Sequence, residues 1–560
     1  MRPIDHLAMP DATGQMHLGH SEKPVSRDRS CAAVVVTVLA FCLVGLHLLV
    51  DPRAYDVSQI VRLVPLMAGL LVAVPVLMLV PRFTRRMDSG MLREPIVLSY
   101  AAYLATCWFS LACALNVSAG FTDCFRTLGA FVVLCVAALV LPLDARWRRW
   151  LLETAVVAML IAVVVGLSKT IPLLTDGLPT RRAMEEAFLD GLMSNVNLFA
   201  IWLLLLIPWC LCGAAVLAGR WRFIAAVAAI AGAVLVVILQ SRAAWLGLAA
   251  AAGVSAAAIL RYRQSLAASD RLCRGVAVVF VAGSVAASIL IGLALTDTQI
   301  GQAIRARVIS RPHQAAGPTD GGRMMVWGMA GRMIGDAFFS GVGAGNFTLR
   351  LHEYCGPDEA GITPDFSTLS SDNWIQPHND FLWVFAEKGV FGFVTFVALF
   401  VAAGLAARSI LRKPHSECDA WLALASLSAL VAYVTVSCFD FPLDRVSHQV
   451  VLAVHLAVLV LLRHEQRGTA GTPRPLPAWL VLPPVLAAVT LGLCYAVAAW
   501  SQEREVMVAR RAQRAGDWRA MRDAARRGTT PWKSLDPLAV PVPLFEGLAE
   551  VQLGDLDAAT

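Results

Sequence analysis

Apolar runs of about 20 residues, the length that crosses about 30 Å of hydrocarbon at about 1.5 Å of helical rise per residue, recur along nearly the whole chain. The pattern predicts transmembrane helices near 31–50, 60–80, 95–113, 126–143, 150–168, 194–218, 222–240, 243–260, 274–295, 381–406, 420–437, 446–462 and 478–500, about thirteen in all. The first run follows a polar stretch that ends in Ser26-Arg27-Asp28-Arg29-Ser30. It is as long as a full span and leads into Asp51-Pro52 instead of a small-residue cleavage site. It therefore reads as an uncleaved helix with its N-terminus inside.

Loop charges give an independent check, because short cytoplasmic loops carry the excess of Lys and Arg. With the N-terminus inside, the even-numbered gaps hold Arg82, Arg85, Arg86 and Arg93; Arg146, Arg148 and Arg149; Arg220 and Arg222; Arg261, Arg263, Arg271 and Arg274; Arg408, Arg412 and Lys413; and Arg463 and Arg467. Of the opposite gaps, the first holds Arg53 alone and the one near Asp440 only Arg445. This orientation puts a long polar interruption, residues 296–380, and the tail after Trp500 outside. A structureless loop of that length is rare and usually functional, so a small helical subdomain is expected there. The predicted organisation is an inside tail at 1–30, helices at 31–295, the loop subdomain at 296–380, further helices at 381–500 and a helical tail at 501–560. In the tail, Gly516-Asp517-Trp518 turns the chain and Asp517 can cap a helix to Arg527. Helix pairs with such turns resemble tetratricopeptide hairpins, although Pro537, Pro541 and Pro543 interrupt the spacing.

Composition agrees. Of 560 residues, 58% are hydrophobic and 16% charged, and the mean hydropathy is +0.65. That balance excludes both a soluble globular fold and disorder. The net charge of +7 comes without a basic run interleaved with aromatics, so no nucleic-acid partner is indicated. The thirteen cysteines sit mostly inside apolar runs and show neither a CxxC pair nor a ligand spacing. Neither a zinc site nor a disulfide framework is expected, and a Cys355–Cys438 pairing stays open.

Candidate chemistry gathers on the outer side. Pro377-His378-Asn379-Asp380-Phe381 lies where the large loop re-enters the membrane, and a histidine at that boundary can exchange protons near neutrality. Taken alone, His378 reads first as a cap or anchor for the next helix. Upstream, Gly321-Gly322-Arg323 opens an amphipathic stretch with Trp327 four residues on, followed by Gly341-Val342-Gly343-Ala344-Gly345-Asn346-Phe347. No Lys-Ser/Thr follows and no strand precedes these glycines, so they read as a tight turn and not a nucleotide loop. Arg242 occupies a short outer turn, where charge bias disfavours it. Snorkelling would explain it, but a cation near hydrocarbon is a functional candidate, and its planar fork suits phosphate oxygens. Arg126, at the outer start of a span, is either a further phosphate contact or an interface anchor. Asp440 and Asp444 orient an acceptor or a basic partner, or pair with Arg445.

His378-Asn379 followed nine residues later by Gly389-x-x-Gly392, with Gly322-Arg323-x-x-x-Trp327, the Gly341 to Phe347 turn and Ser241-Arg242, resembles the O-antigen ligase and O-antigen polymerase superfamily from about Leu192 to Leu462. The resemblance implies an all-α polytopic inner-membrane protein of 12–13 transmembrane helices with one large periplasmic loop and a helical periplasmic tail. It implies a glycosyltransferase without metal or cofactor that moves a glycan from undecaprenyl pyrophosphate to an acceptor, favoured as the lipid A core of lipopolysaccharide. Arg242 and Arg323 would hold the pyrophosphate, and His378 would activate or position the acceptor hydroxyl. Asn379, Arg126 and Asp440 complete the candidate substrate contacts. Polymerase action on O-antigen or exopolysaccharide and glycan transfer to a protein are the alternatives within the class, and the tail leaves room for a protein partner. A transporter of lipid-linked glycans is the alternative outside it, but the two halves show no repeat pairing of the kind common in transporters. A mere membrane anchor would leave Arg242, Arg323 and His378 without a role.

Overall fold

The protein's structure, a computed structural model, describes residues 29–84, 89–174, 181–189, 192–267, 320–356, 376–468 and 478–555. Among these, twelve helices are long and apolar enough to cross a membrane. The described β-structure is confined to isolated bridges at Thr530–Lys533 and Leu535–Pro541. The architecture is all-α and polytopic, as a bilayer requires of a chain whose backbone polar groups must be paired within each span. The expected span at 274–295 and much of the expected loop lie outside the described residues.

The helices that frame the site are α1 (Arg29–Leu43), α2 (Gln59–Leu79), α3 (Pro95–Ser110), α4 (Val117–Val140), α5 (Trp147–Leu174), α6 (Arg181–Leu189), α7 (Val196–Val216), α8 (Arg220–Ile238), α9 (Arg242–Arg261), α10 (Asp320–Asp336), α11 (Asp380–Arg412), α12 (Glu417–Ser437), α13 (Val446–Gln466), α14 (Ala478–Ala515), α15 (Trp518–Gly528) and α16 (Val542–Leu553). Polar caps set several starts: Asn116, Asn195, Ser241, Asn379 and Ser416 each accept a hydrogen bond from an amide of the first turn. α13 and α4 are the most enclosed spans, with 94% and 89% of their apolar windows buried, and so form the centre. α8 shows the opposite face: Phe223, Val227, Ile230, Val234 and Val237 make an exposed apolar stripe at helical spacing, a surface that suits hydrocarbon and not water. α9 and α12 run antiparallel and close, because Gly247 has no side chain to meet Leu204 and Val436 and because the Ser255 and Ser428 hydroxyls bond at 2.7 Å.

The two ends of the bundle differ. At one end the basic loops are tied together: Arg148 pairs with Asp419 and Glu465, and Arg467 with Glu94. At the other, the loops carry the candidate site and the tail. α14 does not stop near residue 500 but continues as one helix to Ala515. Gly516 then turns with φ +70°, and Asp517 caps α15 by accepting from Ala520 N–H at 3.0 Å, as the Gly-Asp-Trp spelling predicts. α15 and α16 close over Ala509, Met521, Ala524, Phe545 and Ala549. The connection between them rests on the bundle, where Asn116 Nδ2 donates to Ser534 Oγ at 2.8 Å.

One boundary departs from the hydropathy reading. The span expected at 126–143 begins at Val117, nine residues earlier. Arg126 is therefore more than two turns inside α4 and 1% exposed, not at its outer start. The polar run Thr122-Asp123 masked this extension, because its charges are paired inside the protein.

Candidate active site at the broken helix

The site is built on a break in α11. Gly389 has φ 63° and ψ −169°, which separates a short helix, 380–388, from the longer membrane segment. A break leaves backbone groups without helical partners, and here the glycine-rich turn supplies them. Val342 N–H donates to Ala386 O at 2.9 Å, Gly343 N–H to Glu387 O at 2.9 Å, and Val390 N–H to Phe338 O at 2.8 Å. The approach needs glycine on both sides. A Cβ at Gly389 would lie 2.2 Å from Phe339 O, and one at Gly341, where φ is +66°, would lie 2.3 Å from the Glu387 carbonyl. Asn346 then fastens the turn to α4: its Oδ1 accepts from Asn116 N–H at 2.7 Å, and its Nδ2 donates to Asn116 O at 3.0 Å.

His378 stands just before the short helix in a left-handed conformation, φ +52°. A non-glycine residue held there costs about 1–3 kcal/mol and persists only where its surroundings impose it. The surroundings are dense. Trp327 Nε1 donates to Pro377 O at 2.7 Å. Asn379 Oδ1 caps the helix through Leu382 N–H at 3.0 Å, and its Nδ2 donates to Cys438 O at 3.1 Å. Asp380, fully buried, accepts from Ser437 Oγ at 2.9 Å and from Leu443 N–H at 3.1 Å. These bonds stitch residues 378–380 to the turn after α12, which brings Asp440 Oδ1 to 3.6 Å from His378 Nδ1 and sets Phe441 edge-on to the imidazole at 4.8 Å.

The arginines approach from two directions. Arg323 lies one turn before Trp327 on the same face of α10, and its Nε is buried with no hydrogen-bond partner among the described residues. Arg242 is the first residue of α9. The antiparallel register with α12, fixed by Gly247 against Val436 and Ser255 against Ser428, puts Arg242 level with the Cys438–Asp440 turn. His378, Asn379, Asp440, Arg323 and Arg242 thus gather at one end of the bundle. Among the described residues, no three His, Cys, Asp or Glu side chains converge as metal ligands. Cys355 and Cys438 form no disulfide.

Residues 224–397 match the family model described as O-Antigen ligase. Through this segment the chain is similar to the O-antigen ligase superfamily. No curated protein matches it. The O-antigen ligase segment takes in Arg242, Arg323, the glycine turn, His378, Asn379 and the break at Gly389, and it leaves out Arg126, Asp440 and the C-terminal tail.

Beneath this candidate site lies a buried ionic network that the motif reading does not foresee. Arg126 Nη2 pairs with Asp123 Oδ1 at 2.8 Å, and its Nη1 donates to both Asp444 Oδ1 at 2.8 Å and Asp444 O at 2.7 Å. Lys388 Nζ sits 2.7 Å from Asp123 and 3.1 Å from Glu387, whose Oε1 accepts from Phe347 N–H at 3.1 Å. Asp444 also receives Gln59 at 2.9 Å and Gln376 at 3.3 Å. Arg445 pairs mainly with Asp56, with Asp444 farther off at 3.6 Å. Against the burial that would raise it, the Arg445 guanidinium holds the Asp56 carboxyl down at about 2. Burial lifts the Asp444 carboxyl above its ordinary value in spite of Arg126 and Arg445. The signal in the sequence was the pairing of unlike charges inside apolar windows, Asp123 with Arg126 and Glu387 with Lys388.

Proposed function

We propose that this membrane enzyme transfers a glycan from undecaprenyl pyrophosphate to an acceptor hydroxyl, favoured as that of the lipid A core, at the periplasmic face of the bacterial inner membrane. The end with the basic loops faces the cytoplasm, in keeping with the charge bias of short loops. The observation that carries this reading is the strained His378, held between the Trp327 face of α10 and Asp440 at the end that also carries Arg242 and Arg323.

The chemistry follows from that grouping. Asp440 beside Nδ1 favours the tautomer with the proton on Nδ1, which leaves Nε2 to accept the acceptor's hydroxyl proton. The acceptor oxygen then forms a bond to the anomeric carbon while the bond from that carbon to the pyrophosphate oxygen breaks. Undecaprenyl pyrophosphate leaves with the electron pair, and the proton stays on His378. Charge on the leaving pyrophosphate grows toward the transition state, so preorganised guanidinium groups at Arg242 and Arg323 stabilise it most there. Asn379 contributes by fixing the end of the short helix and, with Asp440, lines the acceptor side.

The test is to separate surface glycans from a strain lacking the gene and from the complemented strain. Loss of every glycan repeat from lipid A supports a ligase, whereas single repeats left on lipid A would mark a polymerase. Normal lipid A chains with loss of free polymer, or with unglycosylated protein, would replace the lipid A acceptor by a growing polysaccharide or a protein.

A further inference from the structure

Arg126 is, with Lys388, among the most enclosed described cations near the site, and its environment differs from that of a ligand-binding arginine. Its side chain is 1% exposed, and both terminal nitrogens are committed to the carboxylates of Asp123 and Asp444. An incoming pyrophosphate would have to displace a carboxylate in a region closed to water, which is strongly unfavourable. The network has two outlets, one just before His378 and one at the far end of the short helix that follows it. Through Asp444 it reaches Gln376, two residues before His378. Through Asp123 and Lys388 it reaches the break at Gly389 and, by way of Glu387, the end of the glycine turn at Phe347. Asp123 and Arg126, one turn apart on α4, therefore span from one end of the short helix to the other.

We propose that Arg126 is a positioning residue: by bridging Asp123 and Asp444 it fixes both ends of helix 380–388 and so imposes the strained backbone that aims His378. The role rests on the reading of His378 as the group that meets the acceptor. It accounts for the cost of burying Arg126, Asp123, Lys388, Glu387 and Asp444 together, since such a network is tolerated where its geometry is used. It also separates Arg126 from Arg242 and Arg323. Those two act on the pyrophosphate, whereas Arg126 acts on the residue across from it.

The experiment uses the full-length enzyme in lipid bilayers, with undecaprenyl pyrophosphate as binding probe and glycan transfer as readout. Arg126→Gln is expected to lower kcat by roughly a hundredfold, the penalty of a reacting group displaced by about 1 Å, with undecaprenyl pyrophosphate binding and donor KM within about twofold of wild type. A fall in pyrophosphate binding as large as that of Arg242→Gln would make Arg126 a ligand and overturn the proposal. Because Arg126→Gln takes one cation from two buried carboxylates, leaving Asp123 to Lys388 and Asp444 to the more distant Arg445, and can fail to insert, Gln376→Ala provides the second arm. It removes only the last link and leaves every charge paired. It is expected to lower kcat by roughly three- to tenfold at unchanged donor KM, as a smaller misplacement would. Wild-type kcat in Gln376→Ala would overturn the proposal, and with an inactive His378→Ala it would do so without touching the reading of His378.

Discussion

The two ends of the bundle treat charge in opposite ways. At the end of the basic loops, Arg148 reaches Asp419 and Glu465 at 2.6 Å with 25% of its side chain exposed, and Arg149 pairs with Glu153 while 61% exposed. Water reaches the arginines of those pairs, so each pair is partly screened and contributes less than one sealed from solvent. At the site end, Arg126, Asp123, Lys388 and Glu387 are all 4% exposed or less. There a charge must find its partner within the protein, and removing one partner strands the other. The exposed pairs tie loops together, and the buried ones define a geometry. The backbone shows the same contrast: Gly341, Gly343, Gly345 and Gly389 combine positive φ with close approach of other backbone, whereas Gly219 and Gly468, also at positive φ, face open space.

The strongest way to break the site end without touching a charge is Gly389→Ala. The new Cβ would fall 2.2 Å from Phe339 O at a φ of +63°, so the glycine turn must detach from the short helix. Glycan transfer should fall by roughly a hundredfold with membrane insertion intact, the scale expected for a misplaced catalytic group. Near-normal transfer would show that the turn does not hold the site. Arg242→Lys keeps the charge and loses the planar fork, so transfer should fall by roughly tenfold; wild-type turnover would reduce Arg242 to an interface anchor. At the opposite end, Arg149→Ala should cost about 0–1 kcal/mol of stability and leave transfer within about twofold. A large loss there would erase the contrast between the ends.

Much of this was written in the hydropathy. Twelve of the expected spans reappear within a few residues at most of their ends, because a run of apolar side chains long enough to cross hydrocarbon has few other fates. The failures are informative. Residues 117–125 looked like loop because Thr122 and Asp123 are polar, yet Asp123 is satisfied by Arg126 and Lys388 within the protein. Hydropathy ends the last span near residue 500 because Glu503 and Arg504 close the apolar run, whereas the helix itself continues to Ala515. His378, Arg242 and Arg323 were visible as charges at one face. Their mutual placement was not, since it depends on the α9–α12 register and on the hydrogen bonds of Trp327, Asn379 and Asp380, which are contacts between residues far apart in the chain.

The central claim is that the residues gathered around the broken helix act on a lipid-linked glycan through His378. It is tested most directly by reconstituting wild type and His378→Ala in bilayers with a glycan on undecaprenyl pyrophosphate and an acceptor, and measuring both glycan transfer and binding of the donor. The account predicts that His378→Ala binds the donor as wild type does and transfers no detectable glycan. Transfer at the wild-type rate by a correctly inserted His378→Ala would contradict it.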